Sequence, residues 1–407
     1  MLAERSGREE KKVNMKKTLL EYLSVILTVC LFSFCAAACN EGSGGGIVNF
    51  DSEVNSGEEQ TEVLEIISPN VETVDIFTAD YRRYIDCKDG TDVRYFCSEG
   101  GEIYAPVVIE WKNTYKNVVK FKVAYAISAD FSGATEKIVD KTENSIEVYN
   151  LYKDTEYFVS VKATLTDGTT KEAKTSFRTT ADGARPMKID GIYNVRDLGG
   201  YKCSNGRTTL QGKIFRGGAL SPSTIAAYYY VDLTPDGQKY MSETLGIKTD
   251  FDLRNLRENL ELTESPIPGA KLEYYGVDGY MYAYKASEKY KAAFSALADE
   301  SRYPVYIHCT GGADRTGTIC AIIEALLGMS EEDILRDYET TSFSIYGIRG
   351  YNEKTYDFAL FWDAFKTYEG KTLADKAENY MLSIGVTKSE IYNIRAIMYG
   401  EKTIQSN

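Results

Sequence analysis

Between residues 107 and 180, apolar and polar positions alternate with a period of two in five runs: 107–111, 121–127, 145–148, 157–165 and 174–178. That alternation suits a half-buried strand, because successive side chains point to opposite faces. Turn residues separate the runs at short intervals, so the stretch predicts an N-terminal all-β sandwich. From residue 187 the pattern changes. Short apolar runs at 246–253 and 304–308 read as buried strands, and longer periods at 319–327, 356–368, 373–384 and 388–398 read as helices. The run 319–327 is apolar on every side, as a helix packed deep in a fold would be. This order predicts an α/β domain, with a central, mostly parallel sheet flanked by helices. Ala181-Asp182-Gly183-Ala184-Arg185-Pro186 has the composition of a linker between the two. Residues 47–84 follow neither pattern and fit a first strand or a stalk.

The N-terminal segment belongs to neither domain. Met15-Lys16-Lys17 is basic, and residues 19–38 are apolar apart from Glu21 and a few small polar side chains, which reads as a secretory signal. Ala36-Ala37-Ala38-Cys39 resembles the lipobox of bacterial lipoproteins, although Ala36 stands where leucine is usual. That resemblance implies lipidation of Cys39, with Cys35 a poorer second choice, and an extracytoplasmic protein held to the membrane at the bacterial cell surface. An uncleaved membrane anchor is the alternative. The Gly-Ser-rich run after Cys39 suits a tether. The expected layout is a signal peptide over 1–39, a tether over 40–65, the sandwich over 66–181 and the α/β domain over 187–402.

Composition narrows the function. The chain has 407 residues, 43% of them hydrophobic, with a formal charge of −13 and a pI near 4.9. Nucleic acid is excluded as a partner, because phosphate contacts along a duplex need basic surface. A phosphorylated small molecule or side chain is not excluded, since one pocket can be positive on an acidic protein. Of eight cysteines, Cys30, Cys35 and Cys39 lie in the signal segment. Cys87 and Cys97 flank a turn and could form a bridge or remain two buried thiols. Cys203, Cys309 and Cys320 leave an odd number, which points to a thiol kept free.

One stretch carries the chemistry: His308-Cys309-Thr310-Gly311-Gly312-Ala313-Asp314-Arg315-Thr316-Gly317, between a strand and a helix. A loop of this kind can turn the N–H groups of Thr310, Gly311, Gly312, Ala313 and Gly317 toward an anion at a helix N-terminus. Those donors, with Arg315, would also stabilise a thiolate at Cys309. Arg315 can grip two phosphoryl oxygens side by side, and Thr316 can donate its hydroxyl to the departing sulfur. No cluster of histidines and carboxylates suggests a metal, and no cofactor is implied.

The same residues resemble the bacterial atypical cysteine-dependent tyrosine phosphatases, which act on proteins and phosphoinositides. Asn194-Val195-Arg196-Asp197-Leu198-Gly199-Gly200-Tyr201, Phe215-Arg216-Gly217-Gly218, Asp252-Leu253-Arg254 and Asp337-Tyr338 match that family in order. The resemblance implies a cysteine-phosphatase fold and hydrolysis through a phosphocysteine at Cys309. It implies Asp314 as general acid, with Asp278 on a preceding loop as the alternative. His308 then orients the loop, while Arg216, Asp197 and Asp252 either support it as a buried ion-pair network or act directly. Ala313 stands where the family usually has lysine, which favours phosphotyrosine over phosphoinositides. An inositol-polyphosphate phosphatase and a catalytically weak phosphate-binding surface protein are the competing readings. The sandwich resembles the fibronectin type III module, with Trp111 in its core and Lys153 replacing a usual proline, and could hold a surface ligand.

Overall fold

The computed structural model describes residues 61–98, 101–222, 231–255, 258 and 262–404. The expected signal segment, Cys39 and most of the expected tether lie outside these residues. Two sheets come first. Strands β1 (Leu64–Ser68), β3 (Val107–Asn113) and β6 (Ser145–Val148) form an antiparallel sheet in the order β1-β3-β6. Strands β2 (Thr73–Val74), β4 (Val118–Ala126), β5 (Thr135–Asp140), β7 (Glu156–Leu165) and β8 (Thr170–Thr179) form a second, in the order β2-β8-β7-β4-β5. Only the β2–β8 pair of that sheet is parallel. Ile109, Trp111, Phe121, Val123, Val159 and Val161, from both sheets, share one buried cluster.

This region is not all-β. Helix Ala79–Asp86 packs into the same cluster, where residues 47–84 had given no helical expectation. Thr78 caps it by accepting the Tyr81 N–H, and Tyr81, Tyr84 and Ile85 face inward at helical spacing. Cys87 and Cys97 are free thiols, so no bridge joins them. Cys97 is partly buried, and desolvation pushes its thiol up to about 12.

The third sheet follows. Strands β9 (Arg185–Pro186), β10 (Arg196–Asp197), β11 (Ile214–Gly217), β12 (Thr249–Asp252), β13 (Lys271–Tyr274) and β14 (Val305–His308) take the order β13-β12-β14-β11-β10-β9. The four strands β13, β12, β14 and β11 are parallel, and the two short edge pairings are antiparallel. Strand β14 is central and every residue in it is buried. It runs into the loop that leads to helix Asp314–Leu327, which buries Ile319, Ile322, Ile323 and Leu326 against the core. Each such side chain contributes on the order of 1.5–3 kcal/mol. Gly328, with φ +80°, ends the helix in a left-handed turn.

From Thr61 onward the chain is one compact unit, and contacts cross the expected linker at several points. Phe343 joins the buried cluster of the first two sheets. Tyr81 hydrogen-bonds to Thr340, Tyr84 to Glu339, and Arg336 donates to the carbonyls of Tyr84 and Cys87. Lys153, in the turn before β7, is buried, with Nζ 3.7 Å from the Tyr201 ring centre and 2.6 Å from the Gly183 carbonyl. Burial pulls its ammonium down to about 8, against the opposing pull of Asp333 and Asp197.

Candidate functional site

The loop after β14 is curled, and the curl has a measurable cause. Its carbonyls are drawn outward by named donors. Thr310 O accepts from Ala219 N at 3.0 Å, Gly311 O from Asn194 Nδ2 at 2.9 Å, and Gly312 O from Arg216 Nη2 at 2.8 Å. Gly312 sits at φ +65°, and a Cβ there would lie 2.1 Å from the Gly217 carbonyl oxygen. Only glycine fits. The Gly317 N–H donates to Ala313 O at 2.7 Å, closing the first turn of the helix.

Cys309 is buried at the start of this curl. Burial alone would raise its thiol. The Arg315 guanidinium overrides burial, with help from the Thr316 hydroxyl and backbone N–H, and holds the thiol below its usual value. The Thr316 hydroxyl is buried and, among the described residues, has no other hydrogen-bond partner. Cys320, on the helix that follows, is buried too, and there burial outweighs the opposing pull of Arg216 and pushes the thiol up to about 12. The thiol on the loop and the thiol on the helix that follows it are therefore shifted in opposite directions.

Arg315 is oriented rather than loose. Its Nη1 donates to Glu258 Oε2 at 2.6 Å and its Nη2 to Thr310 Oγ1 at 3.3 Å. Asp314 accepts from the Tyr280 hydroxyl and, at 2.7 Å, from Arg349 Nε. Asp278 is exposed, and among the described residues its carboxylate has no hydrogen bond. Its neighbour Gly279 lies against the loop, since a Cβ there would come 3.1 Å from the Asp314 carbonyl carbon. Both acids expected from the sequence are therefore on segments that meet the loop.

The supporting residues divide. Arg216 reaches the loop and pairs with Asp337, which also accepts from Arg196 Nε at 2.6 Å. Burial opposes ionisation of Asp337, but Arg196 and Arg216 hold its carboxyl below the usual range. Glu324, buried with them, is driven well above that range by burial and then by Asp337. His308 lies on the other side, with Nε2 2.7 Å from Asp250 Oδ1 and Nδ1 3.2 Å from the Cys309 carbonyl. Burial would lower its pKa, but Asp252 and Asp250 outweigh burial and raise it. Asp252 also holds Arg254, at 2.7 Å from Nη2. Asp197 does not reach the loop. Its carboxylate binds Arg185 Nη1 at 2.7 Å and the Gly199 and Gly212 N–H groups.

Glu258 and Arg349 were missed in the sequence. Glu258 lies 57 residues before its partner and Arg349 lies 35 after its own, so no local spacing marks either. Ala313, where the resembled family has lysine, is buried, so a long side chain there would have to thread outward.

A cysteine with a lowered pKa, in a curled glycine loop between a parallel strand and a helix N-terminus, has the chemistry to hold an anion beside a thiolate. Residues 187–399 match the tyrosine phosphatase family, and the chain belongs to it. A protein named as a tyrosine-protein phosphatase in Cupriavidus necator is 27% identical over 182 residues, covering 38% of this chain and 63% of the relative. The tyrosine-protein phosphatase non-receptor type ptp-2 of Caenorhabditis elegans is 31% identical over 96 residues, 24% of this chain and 14% of the relative. The chain thus spans less than two thirds of the length of these curated relatives. Among solved structures, the core catalytic domain of the PP-IP phosphatase SIW14 from S. cerevisiae, in complex with citrate, is 20% identical. It covers 48% of this chain and 98% of that one, at a TM-score of 0.30, too low to bear on substrate.

Proposed function

We propose that the protein is a secreted, membrane-tethered phosphatase that hydrolyses phosphotyrosine through a phosphocysteine at Cys309. One observation carries the reading: the Cys309 thiol is held below its usual value by Arg315, inside a loop whose carbonyls are tied outward. The thiolate attacks phosphorus, forming the S–P bond as the P–O bond to the phenol breaks. Asp314 gives its proton to the departing phenolate oxygen. Water then attacks the phosphocysteine, Asp314 takes back a proton, and the Thr316 hydroxyl donates to the leaving sulfur. Arg315 holds two phosphoryl oxygens throughout.

Substrate class follows from charge. Arg315, Arg349, Arg216 and Arg254 each already face a carboxylate, from Glu258, Asp314, Asp337 and Asp252. Little free positive charge remains for a polyphosphate, and a single phosphoryl group is the better match. A second assignment of the acid has its own support: Asp278 is exposed and its carboxylate has no hydrogen bond among the described residues, whereas the Asp314 carboxylate is already engaged. The first two sheets we read as a fibronectin type III-like module, with a surface ligand as its partner. Lipidation of Cys39 would hold the protein at the bacterial cell surface; labelling by a fatty-acid analogue that persists in Cys39→Ala would refute that anchor.

The test is a panel of phosphotyrosine peptides, p-nitrophenyl phosphate and phosphoinositides, run on the full chain and on Cys309→Ser. The serine variant should lose turnover by at least about a thousandfold, because a hydroxyl is scarcely ionised at working pH. Retention of a tenth of the activity would end the cysteine mechanism. Asp314→Asn should cost roughly ten- to a hundredfold on phosphotyrosine but much less on p-nitrophenyl phosphate, whose leaving group needs no proton. The same split in Asp278→Asn instead would move the acid there. A preference for phosphoinositides in the wild type would replace the proposed substrate class.

A further inference from the structure

Three loop carbonyls are held outward, and their three donors differ in origin. Arg216 and Ala219 lie on the strand and turn beside the loop. Asn194 is held from further away. Its side chain donates to the Gly311 carbonyl at 2.9 Å and to Thr341 Oγ1 at 3.1 Å, and its Oδ1 accepts from Arg196 Nη1 at 2.6 Å. Its backbone stands at φ +61°, a conformation that asparagine tolerates but that neighbours must maintain. The Asn194 backbone N–H points away from the loop and donates to Glu102 Oε1 at 2.9 Å.

Glu102 lies 92 residues earlier in the chain, ahead of the part that matches the tyrosine phosphatase family. We propose that Glu102 is a positioning residue for the phosphate-binding loop, acting through Asn194 on the Gly311 carbonyl, so that the region before the family domain completes its site. The proposal rests on the phosphatase reading above. A bond from an N–H to a carboxylate is stronger than one to a neutral acceptor. Glu102 Oε1 therefore fixes the left-handed turn at Asn194, and with it the aim of the Asn194 amide. Displacement of that amide would free Gly311 O and let the peptide unit that follows rotate, turning an inward N–H away from the phosphate.

The anchor is also sensitive to pH. Loss of solvent pushes the Glu102 carboxyl up to about 7, against the Asn194 N–H and the Arg196 charge, which pull it down. The other titratable groups that feel it are Tyr104 and Tyr306, both raised, chiefly by burial, and neutral in this range. Glu102 therefore passes from carboxylic acid to carboxylate around pH 7.

The experiment uses the full chain with Glu102→Gln, Glu102→Ala and Cys309→Ser, assayed on p-nitrophenyl phosphate across the pH range around neutrality. Thermal melting is followed in parallel. Glu102→Gln keeps a neutral acceptor of the same shape. Its turnover should match the wild type well below pH 7 and fall about three- to tenfold behind above it, with KM changed less than kcat. Glu102→Ala should lose about tenfold at every pH. A merely structural role would lower turnover and melting together, with no pH-dependent ratio. If the wild type is active and its ratio to Glu102→Gln stays constant across that range, the proposal is wrong. If Glu102→Ala fails to fold, the ratio for Glu102→Gln alone decides. A wild type no more active than Cys309→Ser would overturn the phosphatase reading and this proposal with it.

Discussion

Among the described residues, fully buried charged pairs fall on one side of residue 181 only. In the first two sheets charged pairs lie on the surface: Lys122–Glu136 bridges neighbouring strands with side chains 39% and 51% exposed, and Arg178–Asp154 is similarly open. In and around the third sheet several are interior, although Lys271–Glu273 in β13 leaves its lysine 70% exposed. Arg196–Asp337 is 1% and 2% exposed, and Arg185–Asp197, Arg254–Asp252 and His308–Asp250 are as deeply enclosed. An exposed pair gains little, because water and salt screen it. A buried pair gains little over a hydrophobic substitute, yet it is expensive to break because one charge is left behind. The interior pairs therefore serve geometry. The pairs of Asp337 with Arg196 and Arg216 hold two of the donors that bind the loop carbonyls, Arg216 directly and Asn194 through Arg196, and a site that must present N–H groups to a phosphate needs those donors immobile.

The most severe way to break this arrangement is Asp337→Asn, which leaves Arg196 and Arg216 without their shared carboxylate. Destabilisation of about 3–5 kcal/mol is expected in urea unfolding. The pH dependence has a definite sign. Asp337 has a folded pKa below its unfolded value, because Arg196 and Arg216 outweigh burial. Its contribution is therefore present above the ordinary carboxylate range and is lost as pH falls through the folded value. Asp337→Asn should lose less stability on acidification than the wild type does. An Asp337→Asn chain as stable as the wild type at neutral pH would mean that the buried pairs are not what hold the loop.

Next in size is Arg315→Lys, with turnover on p-nitrophenyl phosphate lower by about a hundredfold and stability nearly unchanged. Lysine keeps the charge but loses the fork that now joins Glu258 and Thr310. Arg315 is the more open of these arginines, with 17% of its side chain exposed against 1% for Arg196, Arg216 and Arg254. Its substitution should therefore separate activity from folding, where Asp337→Asn joins them. Equal loss of both would place Arg315 with the structural pairs.

The same division explains what was legible in the sequence. The loop could be read because its chemistry is contiguous: Cys309, two glycines, Asp314, Arg315 and Thr316 fall within eight residues. Strands β3, β4, β6, β7 and β8 showed their period because one face of each is buried. Strand β5 did not, since almost every residue in it is exposed and nothing imposes an alternation. Helix Ala79–Asp86 had its signal in Thr78 and the spacing of Tyr81, Tyr84 and Ile85, but it is only 8 residues long. Glu258, Arg349 and Glu102 meet their partners only after folding. Lys153 misleads a reading by polarity, because a lysine is expected at the surface and this one lies over Tyr201.

The smallest effect tests the other half of the comparison. Lys122 and Glu136 are 2.7 Å apart on neighbouring strands, in the half of the chain that carries no loop ligand. Lys122→Met removes the charge but keeps a long apolar stem on the sheet surface. The lost attraction is screened at both ends, and holding two long side chains together costs entropy that the variant regains. A change within about 0.5 kcal/mol is expected in urea unfolding, shrinking further as salt is added. Turnover should not move, since the Lys122 ammonium bonds to Glu136 and, among the described residues, to none of the loop donors. A loss above about 1.5 kcal/mol would show that an exposed pair here behaves like a buried one, and burial would no longer separate the two halves.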